Sequence, residues 1–248
     1  MAKVDELRKM IVDAENIVAF TGAGISTESG IPDFRSPGGI WTKMRPIEFG
    51  DFLASPEARR ETWRRKFASH ETMQKATPNA GHRALAHLVE QGKMTAVVTQ
   101  NIDGLHQASG VPDRKVIELH GNATYAACLE CRRRYELDWV REIFAVDERL
   151  PLCTGCGGII KTGTISFGQS MPEAEMERAR EATLAADLFI VLGSSLVVYP
   201  AAGFPILAKR NGARLAIINR EPTEQDEMAD LVINAEIGST MSRAVGVN

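Results

Sequence analysis

Small and polar residues follow the apolar runs of this sequence, at the points where predicted strands end. They are Gly22-Ala23-Gly24, Gln100-Asn101-Ile102-Asp103, His120, Gly193-Ser194-Ser195 and Asn219. Open α/β sheets bind ligands at the carboxyl ends of their strands. Small residues there leave room for a pyrophosphate, and Asn219 could bind ribose hydroxyls. A histidine is the side chain best suited to general-base work near neutral pH. This set predicts a nucleotide site at which a ribose reacts.

The stretch TGAGISTESGIPDFR at 21–35 is typical of a phosphate-binding turn, because a glycine-rich loop after a strand exposes backbone N–H groups. The dinucleotide fingerprint would place a third glycine three residues after Gly24, where this chain has Thr27. Asp33-Phe34-Arg35 then follows where a dehydrogenase would continue its helix. The loop therefore indicates a nucleotide that is not used as a hydride carrier.

The four cysteines form two C-x-x-C pairs with 21 residues between them: Cys128, Cys131, Cys153 and Cys156. In a reducing compartment this pattern indicates a tetrahedral zinc site rather than disulfides. Four thiolates leave no open position for water, so the predicted role of one zinc is structural.

The elements that must position these residues are six β-rich runs, at 16–21, 94–99, 115–119, 188–192, 214–219 and 230–234. Helical segments are predicted at 78–91, 172–186 and 200–211. Apolar strands alternating with helices predict a doubly wound parallel sheet. A helical insertion at 41–76 and a zinc ribbon at 125–162 interrupt the alternation and predict a smaller, discontinuous domain. The main domain then comprises 1–40, 77–124 and 163–248, with the ligand cleft between the two.

The composition of the 248 residues, with 44% hydrophobic and 25% charged, is that of a globular protein. A net charge of −3 and the lack of a long apolar segment argue against nucleic-acid and membrane partners. With no signal-peptide pattern at the N-terminus, a cytoplasmic location is expected.

The clusters Arg64-Arg65-Lys66 and Arg132-Arg133-Arg134 are predicted to be solvated faces, with a local acidic or nucleic-acid contact as the alternative. His70, His82, His87 and His106 are predicted to be packing or surface residues.

Taken together, these motifs resemble the sirtuin family. GAGIS at 22–26, GIPDFR at 30–35, QNID at 100–103 and HG at 120–121 occur in the family's order. The cysteine pairs, SFG at 166–168, GSSLVVYPA at 193–201 and IIN at 217–219 continue it. The resemblance covers residues 16 to about 235. It implies a Rossmann-type domain and NAD as a consumed co-substrate, in a reaction that removes an acyl group from lysine and releases nicotinamide and O-acyl-ADP-ribose.

The resemblance also implies roles for individual residues. His120 would be the general base, acting through the ribose hydroxyls, and Asn101 would help to position ribose and water. Asp103 would hold the nicotinamide amide, with Ile102 beside it, and Phe34 would shield the ribose. The implied cofactor-binding set is Gly22, Ala23, Gly24, Ser26, Asp33, Phe34, Arg35, Gln100, Asn101, Ile102, Asp103, Gly193, Ser194, Ser195, Asn219 and Ile237, the last near adenine.

The implied substrate is an acylated-lysine protein, bound as an extended strand between the domains beside Gly168-Gln169 and Leu196–Val198. Ile165, Phe167, Gly168 and Val198 would contact it. Relatives that remove acidic acyl groups share a Tyr-x-x-Arg pair, and an ungapped alignment places Trp63 and Lys66 at those positions. Because no guanidinium is available for a carboxylate, the deacetylase-like branch is expected, which Asp33 also fits. Gln169 and Thr162, where the family often has Glu and Pro, depart from the pattern at the peptide edge.

Three alternatives remain open from the sequence. The same site could serve a long-chain deacylase or a mono-ADP-ribosyltransferase. A non-catalytic module that senses NAD or ADP-ribose is the third, although such a module need not keep Asn101, Asp103 and His120.

Overall fold

The computed structural model describes residues 2–34 and 39–247 of the chain. Its main element is a six-stranded parallel sheet in the order β3-β2-β1-β7-β8-β9. The strands of the chain are β1 (Ile17–Thr21), β2 (Met94–Thr99), β3 (Val116–Glu118), β4 (Gly121–Cys128), β5 (Arg134–Glu136), β6 (Ile160–Thr164), β7 (Leu188–Leu192), β8 (Arg214–Ile218) and β9 (Leu231–Ile233).

Helices cover both faces of this sheet. The helices are α1 (Ala2–Asp13), α2 (Ile40–Lys43), α3 (Phe49–Ala54), α4 (Pro56–Lys75), α5 (Ala80–Glu90), α6 (Leu105–Ala108), α7 (Leu137–Phe144), α8 (Glu173–Ala185), α9 (Gly203–Arg210) and α10 (Ile237–Val245), with 3₁₀ turns at Ala23–Ser29, Asp113–Lys115 and Asp226–Met228. Successive residues of β1 point to opposite faces. Ile17 and Ala19 pack with α1, α5 and α10, whereas Val18 and Phe20 pack with α8 and α9.

The strand order reverses between β1 and β7. The chain runs outward from β1 through β2 to β3, and later from β7 through β8 to β9 on the other side. Ligands of doubly wound sheets bind in the crevice at such a switch point. The loops after β1 and β7 border that crevice, so this topology places residues 22–26 and 193–195 together.

A second sheet is antiparallel and has the order β5-β4-β6. It shares a small core with α4 and α7, in which Trp63, Val140 and Phe144 are buried beside Cys128 and Cys153. Ser55 caps α4 by accepting a hydrogen bond from the N–H of Ala58, and Pro56 occupies the first turn. The parallel sheet with a smaller antiparallel domain confirms the predicted fold class, while the exact domain boundaries stay a prediction.

Several predicted elements differ in detail from the observed ones. Helices α5 and α8 begin one or two residues after the predicted start, and α9 begins at Gly203 rather than at Pro200. Helix α7, inside the predicted zinc ribbon, was not predicted. Its apolar Leu137, Val140 and Phe144 lie on one face. No helix in the described part of the chain is both long and apolar enough to span a bilayer.

Candidate functional site

The loops after β1 and β7 touch each other through their glycines. Gly24 donates a backbone hydrogen bond to the carbonyl of Gly193 at 2.8 Å. A Cβ atom at Gly22 or Gly24 would lie 2.6–2.7 Å from the Gly193 backbone, and Gly193 itself has a φ of +66°. The close approach therefore explains these three glycines. That these small residues also leave room for a pyrophosphate stays a prediction. The half-buried Ala23 lies between the two loop glycines.

Ser26 links Asn101 to Asp103 below the crevice. Its hydroxyl donates to Asp103 Oδ2 at 2.7 Å and accepts from Asn101 Nδ2 at 3.1 Å. Asn101 Nδ2 also donates to the carbonyl of Gly22, and Asp103 Oδ1 accepts from the N–H of Leu105 at 2.9 Å. Ser26 is 1% exposed, so its side chain positions Asn101 and Asp103 and has little surface left for the predicted cofactor contact.

The Asn101 carboxamide is oriented by these bonds. Both of its N–H interactions point to Gly22 and Ser26, and its backbone N–H donates to Thr99 Oγ1 at 3.0 Å. Its Oδ1 accepts no hydrogen bond from any residue that the structure describes. The oxygen is therefore available to a water or a ribose hydroxyl.

His120 is held in one neutral tautomer. Its Nδ1 lies 3.0 Å from the carbonyl oxygen of Gln100. A carbonyl can only accept, so Nδ1 carries the proton and Nε2 keeps its lone pair. Burial lowers the pKa of His120 below its ordinary value, although the bond to Gln100 opposes this. The imidazole is therefore neutral near pH 7 and presents Nε2 as a base.

The remaining predicted cofactor residues lie around the crevice in different environments. Gln100 Nε2 donates to Ser194 Oγ at 2.9 Å, which joins the loops after β2 and β7, and Ser195 is exposed. Asn219 turns its side-chain N–H to the carbonyl of Glu221. Ile237 is only 4% exposed and packs against Gly81, so its contact with adenine stays a prediction. Arg35 lies outside the described residues.

A row of aromatic rings borders the cleft on the side of the insertion. The ring of Phe34 lies 5.1 Å from that of Trp41, which lies 5.3 Å from that of Phe167. Trp41 was missed by the sequence analysis, although it is the first aromatic residue after GIPDFR. Of the other predicted substrate residues, Ile165 donates its N–H to the carbonyl of His120 at 2.8 Å. That bond fixes the end of β6 beside His120.

The backbone between β6 and α8, and that after β7, stay accessible at the cleft. Phe167 and Gly168 are exposed, and no atom of another residue lies near a Cβ built on Gly168. Gln169 folds back, because its Oε1 accepts from the N–H of Ser166. Val198 is half-buried and begins the turn that leads to α9. These segments are the edges on which a peptide was predicted to lie.

The four cysteine sulfurs converge. All four lie within 4.8 Å of one another, and the pairs Cys128–Cys156 and Cys131–Cys153 are each 3.5 Å apart. A tetrahedral zinc with Zn–S bonds of about 2.3 Å separates its sulfurs by about 3.8 Å. None of the four is in a disulfide. The thiolates therefore fit one zinc ion.

Two predictions about α4 are wrong. Trp63 is 1% exposed and stacks on Phe67 in the core of the small domain, so it does not line an acyl channel. Lys66 is not on a solvated face, since its Nζ donates to the carbonyl of Ala123 at 2.7 Å. Burial lowers the pKa of Lys66 to about 8. The ungapped alignment gave a position along α4 but no information on which way each side chain points.

Two buried histidines, His82 and His106, lie next to the residues that bond Asn101. His106 Nε2 lies 2.9 Å from Thr21 Oγ1, which donates to Thr99 Oγ1, the acceptor for Asn101. The ring of His82 is 5.0 Å from that of His106. Burial lowers the pKa of His82 to about 4 and that of His106 to about 3. Packing of these residues was predicted, but their connection to Asn101 was not.

This pair predicts a loss of stability in acid. An unfolded histidine has a pKa of about 6.5, so between pH 6.5 and about 4 the unfolded chain binds protons that the folded chain does not. We expect the free energy of unfolding, measured in urea, to fall by about 2–4 kcal/mol between pH 7 and pH 5, at up to 1.36 kcal/mol per unit for each histidine. His106→Gln should flatten this slope, and His87→Gln, on the outer side of α5, should not. Equal slopes in all three proteins would contradict the assignment.

The comparisons with known proteins agree with this geometry. Residues 22–200 match the model of the Sir2 family. An NAD-dependent protein deacetylase of Bradyrhizobium diazoefficiens is 63% identical over 243 residues, which covers 98% of this chain and 95% of that protein. The chain belongs to the Sir2 family. A relative with the same name from Rhodopseudomonas palustris is 60% identical and covers 98% of this chain and 96% of its own length.

Solved structures of Sir2 proteins have the same fold. One, of a Sir2 protein with a p53 peptide and NAD⁺, has a TM-score of 0.88 at 36% identity and covers 98% of both chains. Another holds a deacetylated p53 peptide and 3′-O-acetyl ADP ribose, with a TM-score of 0.89 at 37% identity and the same coverage. The resemblance inferred from the motifs is thereby confirmed at the level of the Sir2 family.

Proposed function

We propose that this Sir2 protein uses NAD to remove acetyl groups from lysine side chains of proteins, releasing nicotinamide and O-acetyl-ADP-ribose. Its relatives at 63% and 60% identity are named NAD-dependent protein deacetylases. The observation that carries the proposal is the fixed neutral tautomer of His120, with Nε2 as a base, next to the Asn101–Ser26–Asp103 network. A base held beside an ordered acid and amide suits a reaction at a ribose.

NAD, when bound, supplies the ribose carbon that becomes electrophilic as nicotinamide leaves. Asp103 binds the nicotinamide carboxamide, and its carboxylate is already fixed by Ser26 and by the N–H of Leu105. Preorganised groups of this kind avoid a reorganisation cost during the reaction. Asn101 Oδ1 accepts from a ribose hydroxyl or a water, which keeps the reacting face in place.

His120 Nε2 removes a proton from a ribose hydroxyl. Its lowered pKa keeps the imidazole unprotonated at neutral pH, and its Nδ1–H bond to Gln100 holds the ring plane. The proton gained on Nε2 is stabilised by that same carbonyl, because the imidazolium donates to it more strongly. The ring can therefore act as a base and then give this proton to the departing lysine amine, which restores its starting tautomer.

The acetylated protein binds as an extended segment between the backbone segments at 168–169 and 196–198. Solved relatives that hold an acetylated or a propionylated peptide support a peptide substrate. Peptides add to exposed backbone edges through main-chain hydrogen bonds. Phe167 and Val198 then contact the aliphatic part of the lysine. A cytoplasmic location, expected from the sequence, belongs to this proposal.

The proposal is tested by following nicotinamide release in the presence and absence of an acetylated peptide. Nicotinamide should be released in proportion to the acetyl groups lost from the peptide, and only slowly without it. The expected ratio is one nicotinamide per acetyl group. Nicotinamide release that does not depend on the acetyl group would reject the deacetylase assignment.

We expect the protein to prefer an uncharged acetyl group to a negatively charged succinyl group. A succinyl carboxylate left unpaired in an apolar channel is unfavourable, and Lys66 already donates to Ala123. One lost charge-assisted hydrogen bond is worth about 1.5–3 kcal/mol, so kcat/KM for an acetyl-lysine peptide should exceed that for its succinyl form by at least ~10-fold. The matched variant Lys66→Ala should leave the ratio unchanged. A succinyl preference that Lys66→Ala abolishes would show that this lysine binds the carboxylate.

A further inference from the structure

A single carboxylate joins two segments that carry the reaction residues. Glu118 is the last residue of β3 and lies two positions before His120. Its Oε1 accepts from Gln107 Nε2 at 2.9 Å and from Asn122 Nδ2 at 2.7 Å. Burial raises the pKa of Glu118, whereas the two donors oppose that shift. Partial burial of a carboxylate is unfavourable unless it accepts hydrogen bonds, so the two donors stabilise Glu118 at this position.

The first of the two bonds reaches the nicotinamide side of the site. Gln107 is on α6, the short helix that follows Asp103. The first N–H of α6, from Leu105, donates to Asp103 Oδ1. With one end of α6 held by Asp103 and the other by Glu118, the helix cannot shift without breaking one of these bonds.

The second bond reaches the segment that follows the base. Asn122 lies two residues after His120, and its Oδ1 accepts from both the N–H and the hydroxyl of Thr124 at 2.8 and 2.7 Å. The next residue, Ala123, donates its N–H to the carbonyl of Ile102 at 2.8 Å. The start of β4 is thus tied both to Glu118 and to the loop that carries Asp103.

We propose that Glu118 is a positioning residue that keeps Asp103 and His120 in register for the reaction. The inference rests on the proposed function, because it assigns those two residues to that reaction. Glu118 acts through Gln107 and Asn122, the two side chains that donate to its Oε1. Small displacements of reacting groups cost large factors in rate, so its effect falls mainly on kcat, with a smaller change in KM for NAD because Asp103 also binds the nicotinamide.

The test compares Glu118→Ala with Glu118→Gln in two reactions, deacetylation of a peptide and incorporation of labelled nicotinamide into NAD. Glu118→Ala should lower kcat at least ~10-fold in both, with KM for NAD changed less than ~3-fold. Glu118→Gln keeps a carbonyl oxygen for both donors and should stay within ~3-fold of the wild type. Gln107→Ala should lower kcat in the same direction, and adding it to Glu118→Ala should cause no further loss.

A matched control separates positioning from a general loss of stability. Asp230 also accepts hydrogen bonds from two groups, the N–H of Leu215 and the Lys209 ammonium, which bonds both carboxylate oxygens. It lies just before β9, at the edge of the main sheet opposite β3. Asp230→Ala should lower the melting temperature and leave kcat unchanged. If Glu118→Ala does not fold, Gln107→Ala and Glu118→Gln still decide the question.

The results that would overturn the positioning role differ from the result that would reject the proposed function. Wild-type kcat in a folded Glu118→Ala or in Gln107→Ala would overturn the positioning role. A loss in Glu118→Gln as large as in Glu118→Ala would also overturn it, because the charge and not the acceptor would then be required. A wild-type protein that catalyses neither reaction would instead reject the proposed function itself.

Discussion

Replacement of His120 by alanine should lower the deacetylation rate on the order of 10²–10⁴-fold while NAD still binds. The imidazole combines a free Nε2 lone pair, a fixed tautomer and a bond to the carbonyl of Gln100, the residue before Asn101. Removing it takes away the proton acceptor and this one bond, but leaves the glycine contacts between the loops after β1 and β7 in place. The measurements are kcat on an acetylated peptide and the dissociation constant of NAD by calorimetry.

A histidine elsewhere provides the control for this variant. His87→Ala changes a half-buried ring on α5 that is bonded to Gln91, so its turnover should match that of the wild type. Near-normal turnover in a folded His120→Ala protein would remove His120 from the mechanism. Loss of NAD binding in that variant would show that the ring serves the site's structure instead.

Replacement of Cys153 by serine should give a poorly folded protein rather than a folded, slow enzyme. The four sulfurs fit one zinc, and Cys128 and Cys153 are buried in the core that includes Trp63 and Val140. Structural zinc contributes directly to folding free energy, on the order of 10 kcal/mol in small metal domains. The wild-type protein should contain one zinc per chain by elemental analysis, and a chelator should lower the melting temperature and the activity together.

The matched variant for the metal site is Tyr135→Phe. Its hydroxyl contacts Cys153 Sγ at 3.1 Å without being a ligand, so zinc should be retained and the fold preserved. A metal-free preparation of the wild type with full activity and an unchanged melting curve would contradict the zinc assignment.

The six strands of the main sheet were predictable because buried parallel strands are continuous apolar runs. All five residues of both β1 and β7 are buried. The short α7 was missed, since three apolar residues within a charged segment are a weak periodic pattern. The position of the site followed from topology, because polar residues after parallel strands share one edge of the sheet.

The side-chain contacts within the site could not be predicted from the sequence. Ser26 was expected to contact the cofactor, yet its hydroxyl joins Asn101 to Asp103, residues 75 and 77 positions away. Lys66 looked like part of a solvated basic cluster, but its ammonium bonds to Ala123 on the neighbouring sheet. Hydrogen-bond partners distant in sequence are set by tertiary packing, which periodicity and spacing do not encode.

Mass spectrometry of a single reaction shows whether acetyl is transferred from lysine to the ribose of NAD. NAD and an acetyl-lysine peptide are mixed with the protein, and the masses of all products are measured. We expect the peptide to lose the acetyl mass and ADP-ribose to gain it, in amounts equal to that of free nicotinamide. A peptide that gains the mass of ADP-ribose, or acetyl that appears only as acetate while NAD stays intact, would contradict it.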